Sequence, residues 1–179
     1  MKRLNKKGFT LVELLAVIVI LALIMAIAIY SISGILQNSR EGVFKDTALS
    51  IIRGVKNQLL ATNQQAEGTY YFSEALLENN NDLPFGGKIK FRGESGPGTQ
   101  METSGGNSPL YSASYIDVNA EGSCTSSTTA SYVSVDENAG TYTYYICLIP
   151  TATGTNARYI RGSEADLMGS TARTIYPMG

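Results

Sequence analysis

Glu13 is a carboxylate in an apolar place. It precedes the run Leu14-Leu15-Ala16-Val17-Ile18, and no charged residue occurs from Leu14 to Leu36. An acid in such surroundings costs about 2.5 kcal/mol or more unless a cation pairs with it. The spacing therefore asks for a partner amine or guanidinium. Other reactive residues are sparse. The chain has no histidine, which removes the commonest general base and metal ligand. Asp117, Asn119, Glu121 and Gly122 follow the first half of a calcium loop, but Thr128 stands where the bidentate glutamate belongs. These residues are a weak calcium candidate, and no metal or cofactor is expected. The glycine-rich pieces lack the lysine and helix context of a phosphate loop. No nucleophile–base pair stands out, so catalysis is not expected.

Charge is concentrated at the start. Lys2, Arg3, Lys6 and Lys7 all precede Gly8 in a chain of formal net charge −1. Without those four, 10 basic residues face 15 acidic ones, a balance of −5. That balance gives no reason to expect direct nucleic-acid binding.

The 23 residues from Leu14 to Leu36 reach roughly 34 Å as a helix, enough to cross a hydrocarbon core of about 30 Å. The basic cluster ahead of them predicts a cytoplasmic N-terminus and an extracytoplasmic remainder. The protein is thus expected to be a single-pass membrane protein. A secretory signal peptide shares the basic start, but its apolar core is shorter. A plain anchor has no use for Glu13.

The stretch Gly8-Phe9-Thr10-Leu11-Val12-Glu13-Leu14-Leu15 closely resembles the processing site of type IV pilins, type II secretion pseudopilins and competence pilins. The resemblance covers about the first 30 residues. It implies a cytoplasmic-side membrane aspartyl peptidase, the prepilin peptidase, that cuts after Gly8 and methylates the new amine of Phe9. It implies that Glu13 meets the Phe9 amine of a neighbour in a filament, where low dielectric makes the pair strongly attractive. Two other readings of Glu13 stay open: snorkelling to the cytoplasmic interface, or service in peptidase recognition only. The implied partners are other pilins, that peptidase and an assembly platform in the membrane. After assembly the protein would lie in an extracellular filament.

The helix should continue. Phe44, Ala48, Ile51, Ile52, Val55 and Leu59 recur at spacings of 3 and 4, one apolar face. One helix is expected from Phe9 to about Ala61. Many type IV pilins carry a proline in the membrane half, and none occurs here before Pro84. Gly34 and Gly42 are the weakest helical positions. They either mark where the helix unwinds on assembly or allow close helix packing.

Beyond Thr62 the chain reads as loop-rich, then as strands. Ser73 is placed to cap a short helix to about Asn79. Strands are expected at Lys88–Arg92, Leu110–Val118, Ser131–Asp136, Thr141–Ile149 and Arg158–Arg161, and exposed loops at Gly93–Ser108 and Gly122–Ala130. Cys124 and Cys147 would lie outside the cytoplasm, where a bridge is the commoner state, although a buried thiol at Cys147 stays open. The expected fold is α+β: a long N-terminal helix, membrane-spanning in its first half and amphipathic in its second, on a small antiparallel head. The expected divisions are a leader 1–8, a membrane or filament-core segment 9–36, an amphipathic segment 37–62 and a head 63–179. The expected function is a structural subunit of a pilus-like filament. A minor pilin or pseudopilin for secretion or DNA uptake shares the motif. A membrane-anchored binding module is the rival from another class.

Overall fold

The computed structural model describes residues 9–63, 67–77, 81–91, 99–100, 110–113, 124–128, 130–169 and 173–178. Asp117, Asn119, Glu121 and Gly8 lie outside the described residues, as do most of the expected loop at 93–108 and the second half of the expected strand at 110–118. The chain divides into two compact units, Met1–Ser39 and Arg40–Gly179.

Helix α1 spans Leu11–Ala61 without a break. In the first unit its Leu, Ile and Val side chains are all exposed. It is the one helix, among the described residues, long and apolar enough to cross a membrane.

In the second unit, the six residues Phe44, Ala48, Ile51, Ile52, Val55 and Leu59 are completely buried. They pack against one face of a sheet whose strands are β1 (Gly68–Phe72), β2 (Thr99–Gln100), β3 (Leu110–Ala113), β4 (Tyr132–Asn138), β5 (Thr141–Leu148), β6 (Arg158–Ser163) and β7 (Ile175–Pro177). The order is β2-β3-β1-β4-β5-β6-β7, with every neighbouring pair antiparallel. The α+β architecture is therefore as the sequence indicated. Alternation sets the faces. Tyr70, Phe72, Val133, Val135, Tyr144, Ile146 and Leu148 point to the helix. Tyr132, Cys147 and Tyr159 point away and form a second, smaller core with Cys124, Ile149, Ala157 and Met178.

Several local expectations change. Gly68–Phe72, read as loop, is an interior strand paired with both β3 and β4. The described part of the expected strand Lys88–Arg92, residues 88–91, is not a strand. Lys88 and Ile89 make single bridges to Asp82 and Pro150. Lys90 donates its N–H to the Ile149 carbonyl and accepts from the Ser131 N–H, so the segment closes the gap where β4 begins and β5 ends. In its described part, the helix expected after Ser73 is one 3-10 turn, Glu74–Leu77. β2 falls inside the expected loop 93–108. A five-residue helix α2, Glu164–Met168, and the edge strand β7 were not anticipated.

β4 and β5 are joined by Ala139 and Gly140 at φ 51° and 82°, the two positive angles of a tight hairpin turn that follows the strand twist. Gly87 (φ +76°) allows a close approach, because a Cβ there would meet the Ala152 backbone nitrogen at 2.7 Å.

Candidate functional site

The first turn of α1 is built around Glu13. Thr10 is the residue before the helix, which makes Leu11, Val12 and Glu13 its first three positions. A helix leaves its first N–H groups without internal partners. Here the Glu13 N–H donates to Thr10 Oγ1 at 3.3 Å. In return the Thr10 N–H and hydroxyl both donate to Glu13 Oε2, each at 2.9 Å. The Leu14 N–H donates to the Thr10 carbonyl at 3.2 Å. This is a reciprocal capping box, and its sequence signal, Thr-x-x-Glu, is present in the chain. Sequence reasoning assigned Glu13 no partner within its own chain and missed this signal.

Two features of the box bear on chemistry. Every atom in it belongs to Thr10, Glu13 or Leu14, so none comes from the residues before Phe9. Both bonds to the carboxylate use Oε2, so the cap makes no use of Oε1. Phe9 sits just outside the helix at 89% exposure. A free amine on Phe9 would lie beside a helix N-terminus, where charge and macrodipole are both positive.

Gly34 and Gly42 are helical and exposed. Apart from its chain neighbours and the helix's own backbone, a Cβ at either position would meet nothing within 4 Å among the described residues. Among the described residues, close packing is thus not the reason for either glycine.

On the head, Cys124 and Cys147 form a disulfide with Cα atoms 5.6 Å apart, buried in the second core. It fixes the segment 124–128 to the outer face of β5, and Arg161 Nη1 donates to the Cys124 carbonyl at 3.0 Å. No group of three or more metal-ligating side chains occurs among the described residues.

Comparison with known proteins identifies the N-terminal segment. Residues 3–29 match the model of the prokaryotic N-terminal methylation motif. This motif is the signature of type IV pilins and pseudopilins, and the chain carries it on the segment that holds Phe9, Thr10 and Glu13. The match ends within α1, ahead of the head. No curated protein and no solved structure matches the chain.

Proposed function

We propose that the protein is a structural subunit of a type IV pilus-like surface filament. Prepilin peptidase cuts it between Gly8 and Phe9, the Phe9 amine is methylated, and the mature chain polymerises through α1. The observation that carries this reading is a single carboxylate, Glu13, at the head of an exposed and otherwise uncharged apolar helix half. An apolar helix of this kind is stable only in lipid or against other helices.

Glu13 serves both stages. In the single subunit it holds the Thr10 N–H and hydroxyl on Oε2. In the filament a neighbour's Phe9 amine approaches Oε1, and the pair sets how far one subunit slides along the next. Charges withdrawn from water together attract strongly, and a carboxylate buried without its amine is strongly destabilising. A subunit docked out of register is thereby rejected. Gly34 and Gly42 are where the helix unwinds if assembly requires it, since each favours opening over alanine.

N-terminal sequencing of the membrane and filament forms tests the reading. The expected terminus is methylated Phe9, and an intact Met1 terminus would instead support a membrane-anchored binding module. Glu13→Ala should be processed yet fail to assemble. Wild-type filament yield from that variant would remove the docking role. A minor pilin or pseudopilin shares the motif, and abundance along isolated filaments separates it from a major subunit.

A further inference from the structure

The head carries a second set of fixed polar groups, on the outer face of the sheet where β5, β6 and β7 meet. Tyr159 lies in the second core and Arg161 pairs with Cys147, so both point away from α1. Ile160 packs in the helix-side core, and alternation puts Arg158 on that side with it. Arg161 is the centre of the outer set. Its guanidinium lies 4.4 Å from the Tyr176 centroid, and its Nη1 donates to the Cys124 carbonyl at 3.0 Å. Arg173 reaches the same ring at 5.1 Å, with its Nε on the Ile175 carbonyl at 3.3 Å. The Tyr176 hydroxyl donates to the Arg173 carbonyl at 2.7 Å. Tyr159 stacks on Tyr176 with centroids 5.4 Å apart and planes 23° from parallel. Each guanidinium is thus held against one ring by a backbone bond of its own.

Beside them is a turn rich in hydroxyls. Cys124, bridged to Cys147, leads into Thr125, Ser126 and Ser127, all exposed. The Thr128 N–H donates to the Thr125 carbonyl at 3.1 Å, and the Thr125 N–H donates to Thr128 Oγ1 at 3.0 Å. The Thr125 and Ser127 hydroxyls lie 2.8 Å apart. The disulfide and the bond from Arg161 to the Cys124 carbonyl set this turn next to the guanidiniums.

A guanidinium has five N–H donors in a rigid plane and takes a carboxylate through two of them. Arg173 is exposed, and the bond from its Nε leaves its terminal nitrogens for another partner. Hydroxyls donate and accept, which matches the hydroxyls of a sugar. A nucleic acid is held by many cations spaced along its phosphates, whereas two guanidiniums on one ring fit a single anion. One carboxylate set among hydroxyls is the chemistry of a uronic acid. Groups already fixed in place lose little freedom when such a ligand binds.

We propose that Arg161, Arg173 and Tyr176, with the turn from Thr125 to Ser127, form a binding site for a uronate unit of an acidic polysaccharide. The site goes beyond the filament reading and does not need polymerisation. The test uses the full chain in detergent, titrated with galacturonate oligomers by calorimetry, with thermal unfolding as the check on the head. Wild type should bind saturably. Arg173→Gln should weaken binding about tenfold or more, and Arg173→Lys should weaken it too, because an ammonium lacks the planar fork. Ser126→Ala should weaken it a few-fold. Arg158→Gln, on the helix side, should leave it unchanged. Absence of saturable binding by folded wild type would overturn the site. So would equal losses from Arg158→Gln and Arg173→Gln, which mark unspecific attraction, or equally tight binding of neutral dextran oligomers. Tighter binding of inorganic polyphosphate with the same dependence on Arg173 would assign the groove to a phosphate polymer and refute the uronate. Each of these results leaves the filament reading standing, since N-terminal sequencing decides that separately.

Discussion

Replacing Gly34 and Gly42 by alanine separates two demands on α1. In a helix interior alanine is favoured over glycine by about 1 kcal/mol. Among the described residues, and apart from the neighbouring residues and the helix's own backbone, no atom lies within 4 Å of the added methyl at either site, so neither change meets a clash there. The two positions are eight residues apart, roughly 12 Å along the axis, far enough for their effects to add. Together they should stabilise the helix by about 2 kcal/mol, roughly a 30-fold lower population of locally opened helix. Amide hydrogen exchange between Ser31 and Gly42, measured on detergent-solubilised subunits, should slow accordingly. If assembly requires unwinding there, filament yield should fall although the subunit is more stable. A Gly→Asn control is bulkier than alanine but close to glycine in helix propensity. Assembly with asparagine and not with alanine identifies unwinding, whereas failure of both identifies tight packing against a neighbour. Unchanged yield for the double alanine variant, with exchange slowed as expected, would refute the unwinding argument.

Three further outcomes follow from the same geometry. Thr10→Val removes the hydroxyl half of the capping box and should cost about 1 kcal/mol at the first turn, read as faster exchange at residues 11–14 with cleavage unaffected. Reducing the Cys124–Cys147 bridge, which closes a sequence separation of 23, should destabilise the head by about 3 kcal/mol in chemical denaturation. Hydrogen bonds from the Ser163 side chain and backbone N–H hold the Asp166 carboxyl below its usual pKa. That contribution is complete above the ordinary aspartate value of about 3.9 and is lost as pH falls through the lowered folded-state value. The midpoint of thermal unfolding should therefore drop more below about pH 4 in wild type than in Asp166→Asn, which should already be less stable at neutral pH.

The long periodic elements were legible in the sequence, and the short ones were not. The apolar face from Phe44 to Leu59 repeats over four turns and had one reading. β4 and β5 are long, β-branched and aromatic, so their pattern also survived. β1 is just five residues, Gly-Thr-Tyr-Tyr-Phe, and its place between β3 and β4 comes from burial against partners distant in sequence. Residues 88–91 depart the other way, because alternation without room for a ladder leaves single bridges. α2 is too short for periodicity, and its capping box ends in aspartate rather than the usual glutamate or glutamine. At the site, Glu13 stood out by its surroundings, while its Thr10 partner was legible as Thr-x-x-Glu and lay hidden inside a motif already explained. Neither the second core nor the Arg161–Tyr176 contact could be read in advance, since both depend on which residues meet across β5, β6 and β7.

The place of β1 in the sheet bears on how the protein carries tension. A pull transmitted by α1 meets first the buried face from Phe44 to Leu59 and then β1, the next element in the chain. β1 is not at an edge: ladders to β3 and β4 hold it on both sides. Load therefore enters through a strand that cannot peel away one bond at a time from a free border. The three-residue β7, paired among the described strands with β6, lies at the far side of the sheet, away from that line of force.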